Sequence, residues 1–163
     1  MTLLSRKTDY ALLILSYLHQ KAEGGCARQI ADRYGLSRAF VANILKELCQ
    51  NGFVASHRGV KGGYVLQRPL EQVTLAELLE ALEDRFHLAS CTGRHDPVEN
   101  DGCSLEPVCP IKGPMGEVHA RVMEVFRRVN LADLLQPHLP ITTFQPVLSP
   151  LPMRETCPAG AAP

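Results

Sequence analysis

The chain has 163 residues, 45% of them apolar, which is enough for one core of ordinary domain size with appendages and too little for two. No run of about 18 apolar residues occurs, and Asp9 interrupts the apolar opening "MTLLSRKTDYALLIL" without a small-residue cleavage site after it. Neither a membrane span nor a secretory signal is expected, and a soluble, cytoplasmic protein is. The net charge of zero hides an asymmetry: residues 1–69 hold ten Lys+Arg against four Asp+Glu, and the remainder hold seven against thirteen. A basic N-terminal half suits phosphate binding, although charge alone also describes many solvated helices.

In "SRKTDYALLILSYLHQKA" the residues Tyr10, Ile14, Tyr17 and Leu18 recur at helical spacing behind a Ser5 cap, and Gly24-Gly25 ends the run. "CARQIADRYGLSRAFVANILKELCQNG" predicts a short helix over Ala27–Tyr34, a turn at Gly35, and a second helix capped by Ser37 and stopped near Asn51-Gly52. Phe40, Val41, Ile44, Leu45 and Leu48 form its buried stripe, while Arg38, Ala39, Ala42, Asn43 and Lys46 fall on the opposite face. This is the plan of a helix-turn-helix whose second helix reads the major groove; a plain helical hairpin with a wet face would share the pattern.

"FVASHRGVKGGYVLQRP" follows, reading as strands Phe53 to Ser56 and Tyr64 to Leu66 around the turn-rich "HRGVKGG". A hairpin carrying His57, Arg58 and Lys61 directly behind a recognition helix is a wing, slim enough for the minor groove and its negative potential. The fold class expected is therefore mainly α with a small β-hairpin, a winged helix-turn-helix over residues 1–85. "VTLAELLEALED" supplies its closing helix, with Thr74 and Glu77 as a capping box.

Residues 86–111 form a loop in which Cys91, Cys103 and Cys109 are separated by eleven and five intervening residues. Reducing compartments disfavour a disulfide. Zinc would normally show a C-x2-C knuckle, and none is present. A cluster larger than one ion suits thiolates spread over a loop that Gly93, Pro97, Gly102, Pro107 and Pro110 keep irregular. Residues 112–136 then place Met115, Val118, Val122, Val125 and Val129 at alternating spacings of three and four, widened by Met123 and Phe126. That seam predicts a dimerisation helix, with packing on its own domain as the alternative. From Pro137 onward seven of the twelve prolines occur, and an extended or disordered tail is expected over residues 137–163, with Cys157 a bystander. Cys26 and Cys49 read as packing residues. No C-x-x-C pair or catalytic constellation appears, so an enzyme is not expected.

The stretches "KTDYALLIL", "IADRYGLSRAFVANILKELCQNGFVASHRGVKGGYVL" and "C-x11-C-x5-C" before a long helix resemble the IscR/NsrR group of bacterial winged-helix regulators, the Rrf-two family, over residues 1–136. "TDYA", "ASC" and "CSLEPVCPIKGPM" look most like the regulators of iron-sulphur (SUF) assembly operons. The resemblance implies that Cys91, Cys103 and Cys109 ligate an iron-sulphur cluster, of two-iron or four-iron form. It also implies that Arg38, Asn43, Arg58 and Lys61 lie at the DNA. NsrR-like members take a fourth ligand from an N-terminal Asp of the other subunit, and Asp9 stands at the matching place; a first-turn acid favoured by the helix dipole is its plainer reading. Two features depart from the IscR pattern: the first cysteine gap is longer than the usual five residues, and Lys112 stands where the IscR-type His ligand would. His95, Glu106 and His119 are fallback ligands, each otherwise a solvated side chain. The function implied is a homodimeric repressor that binds a double-stranded DNA operator and senses cluster status, oxygen or nitric oxide. A cluster-free thiol sensor, a zinc-containing winged helix used for protein contacts, and a thiol enzyme are the alternatives.

Overall fold

Helix α1 (Arg6–Gln20) starts where Ser5 caps it, the Ser5 hydroxyl accepting from the Thr8 backbone N–H at 3.3 Å; a helix start leaves such amides open, and a short polar side chain closes one. The computed structural model describes residues 4–57, 62–83, 86–92 and 103–135. Helix α1 buries Ala11, Ile14, Leu15, Tyr17 and Leu18; of the sequence stripe, Tyr10 is only half-buried.

Helices α2 (Ala27–Tyr34) and α3 (Arg38–Gln50) meet at Gly35, whose φ of 66° is left-handed, a conformation that glycine adopts at no cost. The turn closes through the Leu36 N–H donating to the Ala31 carbonyl at 2.9 Å. Strands β1 (Val54–His57) and β2 (Gly63–Leu66) pair antiparallel from Val54↔Leu66 to His57↔Gly63. A third element joins them. Gly25 and Tyr64 exchange backbone hydrogen bonds of 3.0 and 2.9 Å, and Gly24 sits so close that a Cβ there would fall 2.4 Å from the Tyr64 carbonyl oxygen. The Gly24-Gly25 pair, expected to end α1, lies beyond its C-cap Lys21 and instead brings backbone against the wing at a distance no side chain permits.

Helix α4 (Leu75–Leu82) is capped by Thr74, whose hydroxyl accepts from the Glu77 N–H at 3.2 Å. The expected capping box is half formed, because the Glu77 carboxylate accepts from Arg68 at 2.7 Å instead of turning back to Thr74. A cation two residues beyond β2 outcompetes one backbone amide.

Helix α5 (Lys112–Arg128) packs on α4, and α6 (Leu131–Leu135) turns back under the core. Leu131 and Ala132 are as buried as Ile14, Leu45 and Leu79, and belong to the same cluster. Backbone bonds of 2.8 Å from the Leu75 N–H to the Val129 carbonyl and from the Leu131 N–H to the Val73 carbonyl fix this return. The core thus extends beyond residue 85, where the sequence reading ended it: helices α1 to α4 leave an apolar gap that only a distant segment fills. Helix α5 is divided accordingly. Met123 is buried, and Phe126 and Val129 pack against the chain's own core, whereas Val118 remains 47% exposed and Val122 and Val125 half-buried. Val129 and the widening residues Met123 and Phe126 therefore serve this domain, as the alternative reading of the seam had it. Among the described residues, no helix is long and apolar enough to cross a membrane. The tail from Pro137 lies outside them.

Candidate nucleic-acid interface and cysteine turn

The second helix of the helix-turn-helix presents Arg38, Ala39, Ala42, Asn43 and Lys46 to solvent, with Val41, Ile44, Leu45 and Leu48 buried behind them. Phe40, expected in the stripe, is 36% exposed instead and packs edge-on against Tyr10 with ring centroids 5.3 Å apart. It stands at the edge of the stripe, where a ring can lie along α1 without entering the core. Arg38 reaches back across the turn to Asp32 at 3.4 Å, and Arg28 approaches the same carboxylate at 3.7 Å. Lys7 meets Glu47 at 3.1 Å, tying α1 to α3. His57 ends β1 exposed to solvent. Arg58 and Lys61, expected at the wing tip, lie outside the described residues.

Cys91 sits in a 3-10 turn, Ser90–Thr92, stitched by the Ala89 N–H donating to Thr92 Oγ1 at 3.1 Å and Thr92 Oγ1 donating to the Ala89 carbonyl at 2.8 Å. This turn packs against α5. Cys103 and Cys109 open and close a pair of turns: the Cys103 carbonyl accepts from the Glu106 N–H at 3.0 Å, and the Cys109 carbonyl from the Lys112 N–H at 3.4 Å as α5 begins. All three are half-buried free thiols. Lys112 Nζ lies 2.7 Å from Glu106 Oε1. Glu106, through its hydrogen bond and charge, holds that ammonium above the usual lysine range, and Cys91 adds to the effect.

Among the described residues, no three His, Cys, Asp or Glu side chains are gathered as a site for one metal ion. The donor set suits an iron-sulphur cluster in kind, since such clusters take thiolates and span more than a single ion does. Of the fallback ligands, Glu106 is half-buried and bound to Lys112, and His95 lies outside the described residues. His119 is not the solvated side chain expected: its ring stacks on Phe86 at 6.2 Å and its Nδ1 is buried without a hydrogen-bond partner. Asp9 is exposed on the first turn of α1. Cys26 stands at the N-cap of α2, its N–H donating to Gln29 Oε1 at 3.0 Å, and burial raises the Cys49 thiol, keeping it protonated. Both roles agree with packing rather than ligation.

Three acids with structural work were not singled out in the sequence. Asp32 was legible, four residues after Arg28 on one helix face. Glu47 and Glu83 were not, because their partners on α1 lie far away along the chain.

A helix-turn-helix with an exposed polar face on its second helix, followed by a two-stranded hairpin, defines a winged-helix DNA-binding transcriptional regulator. Residues 4–137 match the Rrf2 family, described as iron-dependent transcriptional regulators, and the chain belongs to that family. The HTH-type transcriptional regulator NsrR of Shouchella clausii (strain KSM-K16) is 30% identical over 134 residues, covering 81% of this chain and 87% of the relative. The solved structure of CymR (YrzC), the global cysteine regulator of B. subtilis, superposes with a TM-score of 0.63 at 26% identity, over 83% of this chain and 97% of CymR. IscR of T. potens superposes with a TM-score of 0.60 at 27% identity, over 81% and 85% of the two chains. These are regulators and not enzymes, as the sequence had indicated.

Proposed function

We propose that the protein is a homodimeric repressor that binds a double-stranded DNA operator and senses iron-sulphur cluster status, oxygen or nitric oxide through Cys91, Cys103 and Cys109. Its targets on this reading are iron-sulphur assembly or stress genes. The observation that carries the proposal is the placement of the cysteines. Cys91 rests on α5 just after the DNA-binding core, while Cys103 and Cys109 form the turns that launch α5, and α5 returns to that core through Phe126 and Val129. Any tie among the three thiolates therefore sets how α5 leaves the reading head. A bound cluster would supply such a tie, one that is made and lost with iron supply, oxygen or nitric oxide. In the protein, Glu106 holds Lys112 in place at the start of α5, directly after the turn that Cys109 closes.

Dimerism is supported by apolar surface without cover in one chain: Leu105 is 63%, Val108 78% and Ile111 60% exposed, beside Val118 on α5. With two copies, the α3 helices would enter successive major grooves about 34 Å apart, with Ala39, Asn43 and Lys46 facing bases and phosphates and Arg58 and Lys61 in the flanking minor grooves. Asp9, exposed on α1, would be offered to the partner's cysteines. A cluster-dependent change in the spacing of the heads then becomes a difference in operator affinity.

A second reading, direct thiol sensing without a cluster, is favoured by the likeness to a cysteine regulator. An ultraviolet-visible spectrum with iron and sulphide assay decides between them, made on protein purified without oxygen and on the triple variant of Cys91, Cys103 and Cys109 to Ala. Visible absorption that disappears in the variant is the expected result. A colourless wild type with unimpaired DNA binding would replace the cluster by thiol chemistry and leave the regulator standing.

A further inference from the structure

The turn of the helix-turn-helix carries a carboxylate where phosphate binding alone would call for none. Asp32 lies on α2 between two guanidinium groups, 3.4 Å from Arg38 Nη2 and 3.7 Å from Arg28 Nε. The side chains are largely open to solvent, 60% for Arg38, 57% for Asp32 and 72% for Arg28, and the shared carboxylate ties the two guanidinium groups together. Arg38 is the first residue of α3, the position from which a recognition helix reaches base edges. The contact with Asp32 spans the Gly35 turn and so directs an otherwise flexible side chain from the α2 side.

The geometry points to Asp32 as a positioning residue that sets base discrimination through Arg38, a role that rests on α3 being the DNA-reading helix. An unrestrained arginine at this place would settle on the nearest phosphate of any duplex, and phosphate contacts carry no sequence information. Held by a single carboxylate contact, the guanidinium is released to an acceptor pair that offers more than it leaves, and the O6 and N7 edge of guanine is that pair in the major groove. Where no such edge stands opposite Arg38, the pair stays closed and the Asp32 charge faces phosphates and base acceptors, which weakens the complex. Asp32 therefore lowers affinity for every duplex and lowers it most for the wrong one, and specificity is that difference.

The test is selection from a random-sequence duplex pool by the full chain, with sequencing of the bound fraction and a titration of the unselected pool. Asp32→Asn is expected to bind the unselected pool about threefold tighter, the size an exposed ion pair implies. It should also flatten the guanine preference at one position of each half-site. Asp32→Glu should retain that preference. In an Arg38→Ala background, Asp32→Asn should change no base preference, because the two residues act as one unit. Tighter pool binding with unaltered preferences would reduce Asp32 to a charge effect and overturn the assignment. So would a preference lost in the Arg38→Ala background too, which would route it past Arg38. A wild type that enriches no sequence removes the DNA-reading role of α3 itself, and that failure is visible before any variant is compared.

Discussion

Thr8 Oγ1 donates a 2.5 Å hydrogen bond to Glu83 Oε1, joining residues 75 positions apart, and Ser5 Oγ donates to the same oxygen. Thr8 is fully buried, and Glu83 is the residue on which α4 ends before the chain enters the cysteine segment. The first turn of α1 thus anchors the point of departure of the sensor loop, and Lys7 in the same turn holds Glu47 of α3.

This anchor has a definite pH response. Partial burial alone would raise the Glu83 carboxyl, but the hydrogen bonds from Ser5 and Thr8 and the charge of Lys7 outweigh it and hold the group below its ordinary value of 4.5. A carboxyl lowered on folding contributes stability that is present above its unfolded value and lost as the pH falls through the folded one. Glu83→Gln should cost about 1 kcal/mol at pH 7, discounted from a fully buried charged bond for its partial exposure. The variant should also lose less stability than wild type between pH 5 and pH 3. Parallel urea titrations across that range check both statements; identical acid limbs would show that the anchor carries no charge-dependent stability.

Leu131 has no exposed surface and lies in the core shared by α1, α3 and α4. Its truncation to Ala should cost about 2–5 kcal/mol, the range for a large aliphatic removed from a packed interior. Because α6 completes that core, urea unfolding followed by helix content should shift as one transition. A separate early transition confined to a few residues would mean that α6 is a detachable appendage.

Gly24 combines a φ of 82° with a 2.4 Å approach of any Cβ to the Tyr64 carbonyl oxygen. Gly24→Ala should therefore destabilise the protein by more than about 1 kcal/mol, adding a backbone clash to a conformation that Ala dislikes. The damage should appear at the wing, with faster amide exchange at Gly25 and Tyr64, whose mutual hydrogen bonds the shift would stretch. Unaltered exchange at both would contradict the close approach.

Val118→Glu places a charge on the exposed side of α5, where Val118 is 47% accessible in the single chain. It should leave the melting temperature of the monomer fold within about 2 °C, as surface substitutions usually do. If α5 pairs with its copy, the variant should sediment as a monomer at micromolar concentration and bind operator-length DNA at least about tenfold more weakly than wild type. A wild type that itself sediments as a monomer would end the dimer reading.

Local chemistry made much of this protein legible in one dimension. Ser5, Gly35, Ser37 and Asn51 stand at the bounds of α1, α2 and α3 as capping and turn rules expect, although Ser37 makes no side-chain cap bond and α1 ends at Gln20, ahead of Gly24-Gly25. The exposed face from Arg38 to Lys46 followed from helical period alone, since burying Val41, Ile44, Leu45 and Leu48 leaves those positions outside. The spacing of Cys91, Cys103 and Cys109 was equally plain. What the period could not say was which neighbour each apolar face would meet. Met123, Phe126 and Val129 looked like further seam and pack on their own domain, while Phe40 looked like core and lies at the surface against Tyr10.

Tertiary structure alone decided that Leu131 and Ala132 close the core, that Gly25 adds a rung to the wing at Tyr64, and that Ser5 and Thr8 hold Glu83. Each is a contact between segments well separated in the chain, and its partner is selected by complementary shape and hydrogen bonding only after the helices have formed. Capping, turns and helical period depend on interactions over a handful of residues, so the linear order of amino acids determined those elements by itself. The sharing of faces between one domain and its surroundings depends on the space left by every other element, and no short stretch of sequence contains that information.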